Sequence, residues 1–380
     1  MAKERDSGRS VIRARSALLI SGVFYVLIAF EFLYMASPFA AYFYGVYGPG
    51  LDWLQGSETT SWLIHFFLPH VVEETDSLLV DNLGLAGAIL LVAGLAGFAI
   101  GAIQVYYAKL TGKGAVTKVL YRHIRHPQYL ALIVASIGMA LIWPRYLVVI
   151  ATVTVIFIYV ALAKAEEGIC LRRYPGYADY MKRTGMFLPA RFGLRFALPI
   201  GEGRAARLAA WVLAYGMTLG LALLLAFGLR IQAMNALHTH EVEKGVYLSL
   251  VEISKADLAA VASLASSAPD VQAAVEGKNN LINYVLPTQM YVSEIPMFLP
   301  PGERFGHSVP DDRDPAHYKV IVTEAVFGED GLPEDGSILR YAVHKRPLWE
   351  AHVDLSTGQV TRSLPPPANP IYGNRQVPLF

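Results

Sequence analysis

The chain has 380 residues, of which 54% are hydrophobic and 17% charged, and its formal net charge is +1. This composition is too apolar for a soluble protein of this size and indicates an integral membrane protein. The one cysteine, Cys170, excludes an intramolecular disulfide and a thiolate-rich metal cluster.

Charge is distributed unevenly along the chain. Residues 1–231 carry 21 Lys and Arg against 13 Asp and Glu, whereas residues 232–380 carry 11 against 18. The apolar runs are confined to the first part. We therefore expect two domains, a transmembrane domain over residues 1–231 and a C-terminal extramembrane domain over residues 232–380.

Five apolar runs are long enough, or nearly so, to cross about 30 Å of hydrocarbon, which takes roughly 20 residues. They cover residues 16–38, 83–107, 127–143, 146–165 and 207–231. The first is longer than the apolar core of a signal peptide and is expected to be a retained span. The third and fourth flank Trp143-Pro144-Arg145 and predict a helical hairpin. The predicted fold is mainly α, a polytopic transmembrane helix bundle of about five spans.

Loop charges predict the orientation of these spans. The N-terminus, the 108–126 loop and residues 168–206 are basic, whereas the 49–82 loop has six acidic residues and no Lys or Arg. Because basic loops stay in the cytoplasm, we expect a cytoplasmic N-terminus in the inner membrane. Counting five spans then places the C-terminal domain in the periplasm.

The C-terminal part has the pattern of an α+β domain. Residues 255–276 carry apolar side chains at helical spacing, and residues 318–322 and 338–343 are typical of strands. Residues 349–355 and 359–364, separated by Ser356-Thr357-Gly358, predict a β-hairpin.

Two clusters of opposite charge flank the predicted helical hairpin. Arg125 and His126, with Arg122 and His123, precede its first helix, which Pro127 begins; Glu166 and Glu167 end its second helix. A helix over residues 146–167 rises about 33 Å, enough to return to the starting face of the membrane. The clusters should therefore meet. The alternative for the basic cluster is an anchor to lipid phosphates, but acidic residues beside it favour a binding site.

These residues also resemble the sequence pattern of a known protein family. Arg125-His126-Pro127-Gln128-Tyr129-Leu130, the Glu166-Glu167 pair, and Tyr177-Ala178-Asp179-Tyr180 followed by Arg183 are similar to the pattern of the isoprenylcysteine carboxyl methyltransferase and phospholipid methyltransferase superfamily. Members are integral membrane enzymes that use S-adenosylmethionine. The resemblance covers residues 85–190.

The resemblance implies S-adenosylmethionine as the cofactor, bound at the cytoplasmic membrane face, and a lipophilic or small acceptor. It implies three groups of site residues: Arg125 and Glu166 as catalytic residues; Tyr121, His126, Pro127, Tyr129 and Glu167 at the cofactor; Tyr177, Tyr180 and Arg183 in a flap over the substrate. Methyl transfer depends on positioning and needs no metal. No metal site and no nucleic-acid partner are expected, and His238-Thr239-His240 is a weak metal motif.

One alternative function stays open. The Val119-Leu120-Tyr121 segment and Ala131 replace glycines that are common in the family. The chain could therefore be a non-catalytic membrane subunit that retains the methyltransferase-like fold. Residues 232–380 would then be its interaction module for a protein partner.

Overall fold

The computed structural model describes residues 53–54, 56–57, 59–111, 116–192, 203–328, 337–365 and 379–380, with Ser16, Gly22 and Val26. The chain divides into two compact units. One is formed by Met1–Phe32 and Leu83–Leu225, and the other by Leu33–Asn82 and Ala226–Phe380. Apart from three single positions, the predicted first span over residues 16–38 lies outside the described residues.

The first unit is helical. The helices in chain order are α1 (Leu78–Leu110), α2 (Pro127–Ile142), α3 (Tyr146–Arg173), α4 (Tyr177–Arg183) and α5 (Arg204–Asn235). The first and last of these, α1 and α5, each extend by some residues into the range of the second unit. In the described part of the chain, three segments are long and apolar enough to cross a membrane: Leu78–Val105, Tyr146–Arg173 and Arg204–Asn235. Helix α2 has 16 residues and is about 24 Å long, shorter than the hydrocarbon layer. The predicted count of about five spans is not confirmed.

Glycines bring α1 and α2 into close contact. A Cβ on Gly94 would lie 2.5 Å from the backbone nitrogen of Ala135, and one on Gly87 would lie 2.9 Å from the carbonyl oxygen of Gly138. Gly138 of α2 is equally restricted, because its Cβ would lie 2.5 Å from the nitrogen of Leu91. Small residues thus allow backbone contact between two apolar helices, as in other membrane bundles.

The second unit contains a six-stranded sheet. Its strands are β1 (Thr239–Val242), β2 (Gly245–Ser249), β3 (Leu281–Pro287), β4 (His317–Val326), β5 (His344–Asp354) and β6 (Gln359–Leu364). They lie side by side in chain order, and every neighbouring pair is antiparallel except β2 and β3. A parallel pair requires a crossover connection.

Two helices form that crossover, α6 (Lys255–Ser267) and α7 (Pro269–Ala274). The single helix predicted over residues 255–276 is interrupted because Pro269 has no N–H to donate and holds Ala268 in an extended conformation. Leu258 and Val261 of α6 pack into a core with Val320 and Val353 of the sheet. Helices α6 and α7 therefore pack against one face of the sheet.

The other strand predictions for this unit have mixed outcomes. The strand over residues 318–322 and the hairpin over residues 349–364 are confirmed. The strand predicted over residues 338–343 is wrong, because Ile338–Tyr341 is a short helix, α8. The register of β4 with β5 ends at the pair Val326 and His344. The N–H of Val343 still donates to the carbonyl of Val326 at 2.8 Å, whereas those of Arg340 and Ala342 donate to the nearby carbonyls of Ser337 and Ile338.

Residues before α1 also belong to the sheet unit. The N–H of Glu73 donates to the carbonyl of Leu250 at 2.9 Å, and the N–H of Asp76 donates to that of Ala236 at 2.8 Å. Arg313 pairs with the Glu74 carboxylate at 2.5 Å. Residues 73–76 of the acidic segment therefore contribute to this unit, although they lie far from the sheet in sequence.

Candidate active site

The backbone before α2 is held by the segment that follows α4. A 3-10 helix, Val119–Arg122, lies shortly before α2 in the chain. The N–H of Arg125 donates to the carbonyl of Gly185 at 2.8 Å, and the N–H of His126 donates to that of Met186 at 3.1 Å. These contacts fix Arg125 and His126 at the start of α2, beside the C-terminal end of α3.

Glu167 is the centre of a buried ion cluster. Its Oε1 atom lies 2.6 Å from Arg125 Nε and 3.3 Å from His126 Nε2. The side chains of all three are at most 10% exposed. Arg125 also donates to the carbonyl oxygens of Met181 and Thr184. The two charge clusters therefore meet, as predicted. The Glu167 carboxylate binds side chains of the protein itself.

The Glu166 side chain points in a different direction from that of Glu167. Its side chain is 46% exposed, and its Oε1 atom accepts a hydrogen bond from the Tyr129 hydroxyl at 2.5 Å. His126 Nδ1 lies 3.6 Å from its other oxygen. Burial lowers the pKa of His126, but the Glu166 and Glu167 carboxylates raise it by more, so the net pKa is above its ordinary value. His126 is therefore held between two anionic groups.

Glu166 lines a cavity of about 610 Å³, within the range of small-molecule and cofactor sites. The lining contains the Glu166 carboxylate, two arginines, a histidine, five tyrosine rings and a smaller set of apolar and other side chains. The residues are Val105, Ala108, Val116, Tyr121, Arg125, His126, Gln128, Tyr129, Glu166, Cys170, Arg173, Tyr174, Tyr177 and Tyr180. Glu167 and Pro127 are outside this lining.

Tyr177 and Tyr180 of α4 cover one side of the cavity. Both are 8% exposed, and their ring centroids are 5.5 Å apart. The Tyr180 hydroxyl donates to the carbonyl of Tyr121 at 2.6 Å. Burial raises the pKa of Tyr177 and of Tyr180. Arg183 is exposed and lines a neighbouring cavity instead.

Several lining residues were not predicted from the sequence. Cys170 and Arg173 follow Glu166 by four and seven residues, so all three lie on one face of α3. That spacing was a usable signal. Tyr174 directly follows α3, and Gln128 precedes Tyr129 on α2. The sequence gave no signal for either position.

A protein-family model matches the segment that contains most of these residues. Residues 83–176 match the family model described as phospholipid methyltransferase. That family belongs to the isoprenylcysteine and phospholipid methyltransferase superfamily. The match covers about a quarter of the chain and includes Tyr121, Arg125, His126, Glu166 and Glu167. It ends directly before Tyr177.

The resemblance inferred from the sequence is thereby confirmed for the helical hairpin. The match and the apolar helices indicate a membrane protein with a segment similar to phospholipid methyltransferases. No curated protein and no solved structure matches the chain significantly.

Proposed function

We propose that this protein is an S-adenosylmethionine-dependent methyltransferase whose cofactor binds in the cavity beside Glu166. The observation that carries the proposal is an exposed carboxylate framed by tyrosine rings, inside the segment that matches the methyltransferase family. A carboxylate and aromatic faces together suit a cationic ligand. The bound cofactor would supply an electrophilic methyl group on a sulfonium.

The residues present fit such a ligand. Glu166 would accept hydrogen bonds from its ammonium or ribose hydroxyls, and the rings of Tyr129 and Tyr174 would face its sulfonium. Arg173, on the same face of α3, would pair with its carboxylate. Tyr177 and Tyr180 would exclude water once the site is filled.

Arg125, His126 and Glu167 would act mainly as positioning residues. Their side chains bond to one another, so Glu167 has little capacity left for a ligand. We assign to Glu166 the polar contacts expected of Glu167 from the family pattern. Arg125 and His126 reach the cavity wall and would hold Glu166 and Tyr129 in place.

The acceptor is proposed to be lipophilic. Val105, Ala108 and Val116 give the cavity an apolar side, and α1, which carries two of them, also exposes large apolar residues such as Val92 and Leu95. An acceptor dissolved in lipid could reach this side without crossing water. An amine or thiol acceptor would also have to lose a proton to a base within hydrogen-bond reach.

A cofactor titration tests the proposal. S-adenosylmethionine should bind the wild type in detergent micelles by calorimetry, and Glu166→Gln should bind about 10- to 150-fold more weakly, the loss of a charge-assisted hydrogen bond. Asp179→Asn is the matched control, since Asp179 is exposed on α4 and outside the cavity lining. Absence of binding at millimolar cofactor, or equal losses in both variants, would contradict the proposal.

The alternative is a non-catalytic membrane subunit that uses residues 232–380 to bind a protein partner. The family match does not favour it. The same titration separates the two functions, because a subunit that had lost the site would not bind the cofactor at any concentration tested.

We further propose that the protein lies in the inner membrane, with a cytoplasmic N-terminus and the sheet unit in the periplasm, on the basis of the loop charges. In a Cys170→Ser background, Thr357→Cys places one thiol in the exposed turn between β5 and β6. A membrane-impermeant maleimide should label it in spheroplasts. Labelling only after lysis would reverse the orientation.

A further inference from the structure

The sheet unit contains a cluster that the methyltransferase proposal does not use. The Nε2 atoms of His70 and His307 lie 3.3 and 3.1 Å from the same oxygen, Oε1 of Glu294. The Glu294 side chain is fully buried, and that of His70 is 10% exposed. Three potential metal ligands thus converge on one point, within 4.8 Å of one another.

The groups behind these ligands are arranged as they are in metal sites. Glu73 Oε1 lies 3.4 Å from Nδ1 of His307, the ring nitrogen that faces away from Glu294. A histidine that binds a metal commonly donates its other N–H to a carboxylate in this way. Ser293 Oγ donates at 2.8 Å to the second oxygen of Glu294. The ring of His70 stacks on Phe66, with centroids 4.7 Å apart.

The ligand separations fit a small tetrahedral cation. With metal–ligand bonds of about 2.0 to 2.1 Å, tetrahedral ligand atoms stand roughly 3.3 Å apart. The observed separations of Glu294 Oε1 from the two Nε2 atoms are close to this value. Two imidazoles and one carboxylate favour a transition metal, since Ca²⁺ and Mg²⁺ prefer oxygen ligands.

We propose that His70, Glu294 and His307 bind a divalent transition-metal cation of the zinc class, with water in the fourth position. The cation joins two irregular segments, because His70 lies before α1 and the other two ligands lie in the long connection between β3 and β4. It thereby holds residues 65–77 to the sheet unit. No spacing motif connects residues 70, 294 and 307, so the sequence alone gave no sign of it.

Zinc loading of the full-length protein tests this proposal. After chelation, incubation with ZnCl₂ and desalting, the wild type should retain about one Zn²⁺ per chain by elemental mass spectrometry. Co²⁺ should give the strong visible absorption of a tetrahedral site. Glu294→Gln and His307→Gln should each abolish retention. Glu73→Gln keeps all three ligands and should weaken zinc affinity about 10- to 100-fold.

His317→Gln is the matched control. His317 also lies between two carboxylates, 2.8 Å from Asp314 and 3.5 Å from Asp354, but outside the cluster. Its retention of zinc should equal that of the wild type. Failure of the wild type to retain zinc, or equal loss in His317→Gln, overturns the proposal and identifies a hydrogen-bonded cluster without metal. If the ligand variants do not fold, the wild-type stoichiometry and Glu73→Gln decide the question.

Discussion

Replacing Glu166 and Glu167 one at a time by alanine should separate protein stability from ligand binding. The two residues are neighbours in α3 and undergo the same change in helix propensity, so each variant is a control for the other. We expect Glu167→Ala to destabilise the protein. Glu166→Ala should mainly weaken binding of S-adenosylmethionine.

The magnitudes follow from the contacts of each carboxylate. Removing Glu167 leaves Arg125 and His126 buried without their shared anion, and breaking a buried pair costs about 3–5 kcal/mol. Arg125 keeps its bonds to the carbonyls of Met181 and Thr184, so we expect about 3 kcal/mol. Removing Glu166 deletes the hydrogen bond from Tyr129, worth about 1 kcal/mol.

Denaturant unfolding in micelles, followed by circular dichroism, measures the free energy of unfolding of both variants, and calorimetry measures cofactor affinity. The double variant Arg125→Ala with Glu167→Ala should cost less than the two single variants added together, because the residues form one cluster. If Glu166→Ala destabilises the protein as much as Glu167→Ala does, our assignment of separate functions to the two carboxylates is refuted.

Two further predictions concern helix packing and pH. Gly94→Ala should destabilise the protein by about 1–3 kcal/mol because its Cβ would meet the Ala135 backbone. Gly84→Ala is the control: the space around Gly84 is open, so this variant should be neutral or slightly stabilising. Equal effects of the two substitutions would contradict the close approach of α1 and α2. Burial lowers the pKa of Lys319 from 10.5 to about 7, with nearby carboxylates opposing the shift. Because the unfolded chain binds this proton more tightly, the contribution of Lys319 to the unfolding free energy should rise by a few kcal/mol from about pH 7 towards pH 10. The unfolding free energy of the wild type minus that of Lys319→Met should therefore rise over this range; a difference that does not change with pH would refute it.

The location of the candidate site could be predicted from the sequence, but the separate functions of its two carboxylates could not. The apolar length of the hairpin and the charges at its ends are local features, and they suffice to bring Arg125 close to Glu167. Which carboxylate faces the cavity depends on how α3 is rotated against α2 and on the segment after α4. That rotation is set by packing between residues distant in sequence.

The same distinction applies to the sheet unit. The hairpin over residues 349–364 is formed by neighbouring residues, so its alternating pattern and turn residues were sufficient. The parallel pairing of β2 with β3 and the attachment of residues 59–77 depend on contacts between distant segments. Residues 338–343 are apolar apart from Arg340, a composition that suits a strand or a helix, and the helical turn Ile338–Tyr341 lies beyond the end of the β4 pairing at Val326.

Adjacent side chains on a helix point about 100° apart. The directions in which Glu166 and Glu167 point therefore depend on the number of residues in α3 before them. Arg145, buried at the turn before α3, is the N-cap residue of the helix. Inserting one alanine between that turn and Glu166 would rotate both carboxylates by about 100° without removing either one. The charge presented to the cavity is therefore determined by the number of residues in the helix as well as by their identity. Deleting one residue within this span should turn the Glu166 carboxylate away from the cavity while conserving the residues that line it.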